Sequence, residues 1–414
     1  MVCAHIIHRL IETKVLQNYS YMSILSMLSA VISILVYPYV IRVLGAEQYG
    51  LYAFLLAIVM YLQALLDYGF DQPAAKAIVF CKDNLQEQSL VVSTILYAKI
   101  LLLFPVTLLA IGLIMWVPIL HQHALLFVIL FLQPLSTILL PVWYFQGVKD
   151  MRMVTIIQLS IRLLQIPLIF CFVRTKEDTL IYAVIVSLTI FVGGLVGLLF
   201  LLRCGIRFKV IPISMLRTFF KDATPFFLTS ITGVIKERTL TTLIGTLCGM
   251  QEVALYDLAN KIVMVPRLFT QSVNAALFPE VVDDARVERV HTILKYERWI
   301  GLFVVIIVVA CGYPAILLLG GKEMVGAFPL SVVLSLTIYT YLIVGAYLQF
   351  VFIPHNRYYL VALNQLVALL SCFLFCGVGL MFTHNMMLFA SALVLSGFTE
   401  VLFCYSLCRK NHLL

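Results

Sequence analysis

The sequence predicts an all-α integral membrane protein of about twelve transmembrane helices, six in each half. Three observations predict it. Apolar residues make up 63% of the chain and charged residues 12%, where ordinary soluble domains hold roughly half and a quarter. The apolar residues fall in long continuous runs of the length, roughly 20 residues, that crosses a hydrocarbon core about 30 Å thick. The basic residues gather in alternate links between those runs. Barrel strands would alternate in polarity over about ten residues, and only helices or closed barrels satisfy their own backbone in lipid. Helices therefore fit, and strands do not.

The first six spans run approximately Tyr19–Val40, Leu51–Phe70, Leu90–Met115, Ala124–Phe145, Val154–Val173 and Leu180–Leu202. The second six run approximately Pro225–Cys248, Val253–Val281, Ile300–Leu319, Phe328–Ile353, Tyr359–Phe382 and Met387–Leu407. The first run follows Arg9 and Lys14, is too long for a cleaved leader and has no small-residue cleavage site after it, so it is expected to remain in the protein. With both termini inside, the outer links hold only Arg42, Arg174, Lys176 and Lys322. The inner links hold a much larger set, including Arg203, Arg207, Lys209, Arg217, Lys221, Arg286, Arg289, Arg409 and Lys410. This is the positive-inside pattern, and it gives the net charge of +8 a reason in membrane insertion. No basic, aromatic-interleaved domain exists, so no nucleic-acid partner is expected.

The two longest inner links are 203–224 and 283–299. The first divides the chain into halves 1–205 and 206–414. The second carries Val287, Val290, Ile293 and Leu294 at helical spacing among charges, and is expected to lie along the membrane surface. The halves echo each other. Leu44-Gly45-Ala46-Glu47-Gln48-Tyr49-Gly50-Leu51-Tyr52 follows the first span, and Cys248-Gly249-Met250-Gln251-Glu252-Val253-Ala254-Leu255-Tyr256 follows the seventh. Such parallel repeats bind substrate between them, near the bilayer midplane.

Ionisable residues inside spans are costly and point to a cavity or a partner. Here Lys99, Arg162, Lys236, Arg238, Lys261 and Arg267 outnumber Glu237, Asp257 and Glu400. On the eighth span Asp257, Asn260, Lys261, Met264, Arg267, Gln271 and Asn274 fall within an arc of roughly 140°. On the fifth, Thr155, Gln158, Arg162 and Gln165 share a face, and Lys236 shares one with threonines of the seventh. Structural readings stand beside these. Asp257 and Lys261 are spaced to neutralise each other. Lys236-Glu237-Arg238 fits a broken helix or an internal ion pair. Lys99, short of polar companions, reads as packing or snorkelling, and Glu400 as a bond to a neighbouring helix. Gly193 and Gly197 read as ordinary helix packing. The ten cysteines are scattered, without metal or disulfide spacing. No GxSxG, HExxH or phosphate loop is present, so an enzyme is not expected.

Several local patterns carry a family likeness: Arg42-Val-Leu-Gly45-Ala-Glu47-Gln-Tyr49-Gly50-Leu-Tyr52; Asp67-Tyr68-Gly69-Phe70 with Ala74-Ala75-Lys76; and Pro141-Val-Trp143-Tyr-Phe145-Gln146-Gly147 with Met151. Leu255-Tyr256-Asp257-Leu-Ala259-Asn260-Lys261-Ile262 and Phe278-Pro279-Glu280 continue it in the second half. The chain resembles the O-antigen flippases, in the polysaccharide-transport branch of the multidrug/oligosaccharidyl-lipid/polysaccharide exporter superfamily. Lys149 departs from the third pattern, where an acidic residue is expected, and this removes support for ion coupling at that link.

The resemblance implies two six-helix lobes around a central cavity. It implies an undecaprenyl-pyrophosphate-linked oligosaccharide moved from the cytoplasmic to the periplasmic leaflet of the bacterial inner membrane by alternating access. Arg162, Lys236, Lys261 and Arg267, with Asp257, Asn260, Gln271 and Asn274, are then the substrate-binding candidates. Asp67 and Asp71 are gating candidates, expected to pair with basic residues when the inner side closes. No cofactor or metal is expected; a proton or sodium gradient is the candidate driving force. Candidate partners are membrane lipid, a polysaccharide polymerase and a chain-length regulator. The alternatives are a cation-coupled multidrug exporter of the same superfamily and a non-transporting assembly protein.

Overall fold

A computed structural model describes residues 2–81, 84–283, 287–355 and 357–411. Side chains are described from residue 28 onward, apart from 269, 271–289 and a few single positions. Every regular element among the described residues is helical. In order they are α1 Val2–Asp67, α2 Asp71–Phe80, α3 Leu85–Trp116, α4 Pro118–Gln122, α5 Ala124–Leu130, α6 Leu132–Leu139, α7 Val142–Gly147 and α8 Arg152–Phe172. Then follow α9 Thr179–Arg203, α10 Ile213–Leu247, α11 Met250–Asp283, α12 Val287–Gly320, α13 Ala327–Ala346, α14 Tyr358–Leu380 and α15 Met386–Lys410.

Among the described residues, nine helical stretches are long and apolar enough to cross a membrane. The first of these, Leu35–Phe80, holds 46 residues and merges the end of the first expected span with the second. Gly45 divides α1 there, with φ 78° and ψ 165°, a conformation that side chains with a Cβ rarely adopt. Its repeat counterpart Gly249, φ 123°, separates α10 from α11 in the same way. Those two helices, 35 and 34 residues long, have the length to span but carry the polar faces that keep them out of the apolar count. The protein is thus an all-α, multi-pass membrane protein, and about twelve spans are consistent with it.

Local chemistry explains the breaks. Leu140, at ψ 94°, and Val117, at ψ 111°, each precede a proline, which drives the preceding residue out of helical conformation. Within the fourth expected span Leu140 thus separates α6 from α7, while α5 and α6 meet at Phe131, which keeps helical angles of φ −64° and ψ −14°. Asn84 caps α3 by accepting from the backbone N–H of Gln86 and Glu87 at 3.0 and 3.3 Å. The seventh helix starts twelve residues before Pro225, which is accommodated inside α10.

The chain forms two compact units, one of Met1–Leu44 with Leu55–Ile231, the other of Gly45–Phe54 with Thr232–Leu414. In the first, α9 packs on α6 and α8, and α2 on α7. A Cβ on Gly193 would meet Ile161 at 1.8 Å, and one on Gly197 would meet Leu140 at 2.3 Å, so this glycine pair serves helix packing inside the unit. In the second unit α13 packs against α11, α12 and α15. The start of α12 corrects a sequence expectation. Val290 and Leu294 are buried in a core with Tyr347, Phe350, Leu360 and Cys404, so the apolar face of this link docks on protein instead of lying along the membrane surface.

Candidate functional site

In the first unit, α1, α2, α3, α6, α7, α8 and α9 enclose a cavity of about 400 Å³. The turn at Tyr68 and Gly69, both with positive φ, sets Asp67 at the end of α1 and Asp71 at the start of α2 on its wall. The 3.6-residue period of α8 aims Gln158, Arg162 and Gln165 into it from one face. Trp143 of α7 closes another side.

Lys99 of α3 is the central charge. Its side chain is only 3% exposed, and its ammonium donates to Asp67 Oδ1 at 3.0 Å and to the Thr137 carbonyl at 3.4 Å. Asp71 lies 3.8 Å away, with 58% of its side chain exposed. Lys99 is thus held by two carboxylates on another helix pair and does not snorkel. Sequence reading passed over it because its companions lie on α1 and α2, outside its own helical face. Arg162 differs: it is half-buried, lines the same cavity, and has no hydrogen-bond or ion-pair partner among the described residues. Gln63 and Gln158 likewise have no amide partner among the described residues.

The second unit distributes its charges over three separate settings. Lys236 of α10 donates to Glu400 Oε1 of α15 at 2.5 Å, and Asn364 of α14 donates to the other carboxylate oxygen at 3.3 Å. Helix α10 runs unbroken through Lys236-Glu237-Arg238, so the cluster marks no break; Lys236 forms the internal ion pair, with Glu400 as its partner, while Glu237 is exposed. Glu400 does bond neighbouring helices, as its sequence context suggests.

Asp257 and Lys261 pair along α11, and Tyr49 ties them: its hydroxyl donates to Asp257 Oδ2 at 2.7 Å and accepts from Lys261 at 2.8 Å. Tyr49 reaches this position because Gly50 lies against the Met250 carbonyl, where an added Cβ would come within 1.7 Å. The two repeat motifs therefore meet each other in the fold. Arg267, one turn and a half further on, stacks its guanidinium 3.7 Å above the Tyr341 ring. Asn260 is half-buried and reaches the hydroxyl of buried Tyr256. Gln271 and Asn274 lie outside the residues whose side chains are described.

Of the four candidate cations, two are neutralised by carboxylates, one stacks on a ring, and Arg162 alone offers an unpartnered guanidinium among the described residues. Asp67, Asp71 and Arg162 line one cavity; Lys236, Lys261 and Arg267 do not share a common setting. Among the described residues no cluster of metal-ligating side chains occurs.

Comparison with known proteins adds a lineage to this geometry. A proposed O-antigen transporter of Escherichia coli (strain K12) is 24% identical over 283 residues, 68% of each chain. One of Shigella dysenteriae is 24% identical over 256 residues, covering 60% of this chain and 62% of that protein. Among solved structures, the lipid II flippase MurJ in an inward closed conformation superposes with a TM-score of 0.74 at 14% identity, over 94% of this chain and 87% of that one. An inward-facing multidrug resistance transporter of the MATE family, in the MOP superfamily, gives 0.70 at 15% identity, over 94% of both chains. At these identities the two structures establish the fold. The family model for polysaccharide biosynthesis proteins matches residues 15–283, and the chain is a member of that family.

Proposed function

We propose that this protein is a transporter that carries lipid-linked oligosaccharides, undecaprenyl-pyrophosphate-linked O-antigen repeat units, from the cytoplasmic to the periplasmic leaflet of a bacterial inner membrane. The observation that carries the reading is a polar, charge-lined cavity inside a helical unit of a polysaccharide-biosynthesis family member. A lipid's polar head crosses hydrocarbon only where water or protein groups replace its hydration, since unpaired charge in low dielectric costs several kcal/mol. The polyprenyl tail can remain in lipid. Two O-antigen transporter relatives supply the substrate class.

In this mechanism Arg162 is the first contact for the polar head of the lipid, because its guanidinium has no partner to give up among the described residues. Lys236 and Lys261 contribute by exchanging Glu400 and Asp257 for phosphate as the units rearrange, and Arg267 by a bidentate grip. Asp67 and Asp71 gate the inner side through Lys99. A proton or sodium gradient drives the cycle, and a polymerase and chain-length regulator receive its product. Asp71, the exposed carboxylate of the cavity, favours the second reading, a cation-coupled multidrug exporter.

Deletion in a strain carrying the gene tests the proposal. The expected result is loss of polymerised surface polysaccharide with lipid-linked units accumulating on the inner leaflet, restored by the plasmid-borne gene. Normal surface polysaccharide with raised drug sensitivity would favour the exporter instead.

A further inference from the structure

We infer that the cavity of the first unit takes an uncharged sugar ring of the substrate, and not its phosphates. This rests on the proposed function above and narrows it to one subsite, giving Arg162 to a sugar and leaving the diphosphate to the chain's other cations.

The charges argue first. The cavity wall holds two carboxylates, Asp67 and Asp71, and two cations, Lys99 and Arg162, so it sums to zero with all four ionised. A pyrophosphate brings about two negative charges into a medium of low effective dielectric. It would meet both carboxylates, and the Lys99 ammonium is already committed to Asp67. One guanidinium cannot outweigh that balance.

The hydrogen-bonding inventory argues second. Arg162 offers up to five N–H donors, Gln63 and Gln158 offer donors and acceptors, and the exposed Asp71 carboxylate offers acceptors. Gln165 gives its amide to Thr189 at 2.8 Å and keeps its carbonyl for the cavity. Buried polar groups without partners are costly, so water holds such a wall until a ligand replaces it. The complement of mixed donors and acceptors with no net charge is a ring of hydroxyls, each of which both donates and accepts. Trp143, packed in the core of the unit and 3% exposed, borders the cavity and so reports on its wall. The volume of about 400 Å³ sits at the low end of small-molecule sites, roughly 300–1,000 Å³. It has room for one or two sugar rings, leaving the rest of the oligosaccharide and the diphosphate outside.

The protein carries its own reporter. It has three tryptophans; Trp116 and Trp299 are 88% and 66% exposed, whereas Trp143 is 3% exposed at the cavity wall. In a full-length Trp116→Phe/Trp299→Phe variant in lipid nanodiscs, emission comes from Trp143 alone. The probes are a panel of free hexoses, deoxyhexoses and N-acetylhexosamines, and inorganic pyrophosphate at equal concentration. Expected is a saturable shift with at least one sugar, about tenfold weaker in Arg162→Gln or Gln158→Leu, as loss of one hydrogen bond to a charged or amide group predicts, and no response to pyrophosphate. Both substitutions remove groups that have no partner among the described residues, and an unchanged unliganded spectrum and elution volume verifies the fold. A saturable response to pyrophosphate that Arg162→Gln abolishes overturns the inference, as does silence across the whole sugar panel. A silent panel in a protein whose deletion abolishes surface polysaccharide overturns the subsite alone. A sugar response in a protein whose deletion leaves surface polysaccharide intact overturns the proposed function alone.

Discussion

The two units handle intramembrane charge differently. In the first, Asp67, Asp71, Lys99 and Arg162 face one shared cavity, with hydrogen-bonding capacity left over. In the second, each of the three candidate cations has a private partner: Glu400 for Lys236, Asp257 and Tyr49 for Lys261, the Tyr341 ring for Arg267. The difference teaches that a count of positive residues at depth does not measure a cationic pathway. What a ligand can use is the charge left after internal pairing.

Four sets of substitutions would break or sharpen this contrast. The largest effect belongs to Asp67→Asn with Asp71→Asn. It leaves the Lys99 ammonium buried without a carboxylate, a loss of about 3–5 kcal/mol for a broken buried pair. Thermal unfolding in detergent should drop sharply, and adding Lys99→Met should restore much of it. Either aspartate variant alone should be milder, because the other carboxylate stays within 3.8 Å. Equal stability of the double variant and the wild type would remove the buried triad.

Glu400→Gln comes next, at about 2–3 kcal/mol, because the carbonyl of the introduced amide still accepts from Lys236 while the charge that balanced the ammonium is gone. Lys236→Met/Glu400→Leu should recover stability. If that folded double variant still exports polysaccharide normally, Lys236 is a structural cation; if export fails, Lys236 touches substrate.

Arg162→Gln sharpens the comparison from the other side. With no partner lost, its unfolding midpoint should match the wild type, within about 0.5 kcal/mol. Surface polysaccharide should nevertheless fall, measured at equal protein levels. Normal export would take Arg162 out of the pathway. The smallest effect on the second unit's pairing is Tyr49→Phe, about 1 kcal/mol for a hydroxyl whose two partners keep each other. A double-mutant cycle with Lys261→Met measures it, and a coupling near zero would mean that Tyr49 does not tie the pair.

Much of the fold was legible in the sequence. Apolar runs located the spans, the repeat put Gly45 and Gly249 at corresponding points of the two halves, and helical phase put Gln158, Arg162 and Gln165 on one wall. The i,i+4 spacing allowed the Asp257–Lys261 pair, and the structure forms it. Less legible was the link at 283–299. Its amphipathic pattern fits a membrane surface and a protein groove equally, and its Val290 and Leu294 chose the groove. Lys99 was misread because its partners sit on other helices, and Tyr49 carried no reading beyond the repeat because nothing in its own segment contrasts it with an ordinary aromatic.

The sequence by itself determined the helical membrane class, the approximate spans and the supply of charge at depth. Each of these is a property of about 20 consecutive residues and the bilayer, and needs no other part of the chain. Only the tertiary structure decided which charges remain available. Lys99 meets Asp67 across 32 residues of sequence, Lys236 meets Glu400 across 164, and Tyr49 meets Asp257 across 208. Helix neighbours select those partners, and in low dielectric the selection is strong, because an ion without its partner costs several kcal/mol. Spacing along the chain cannot report that selection, and so Arg162 stood out from the other cations only once the helices were packed.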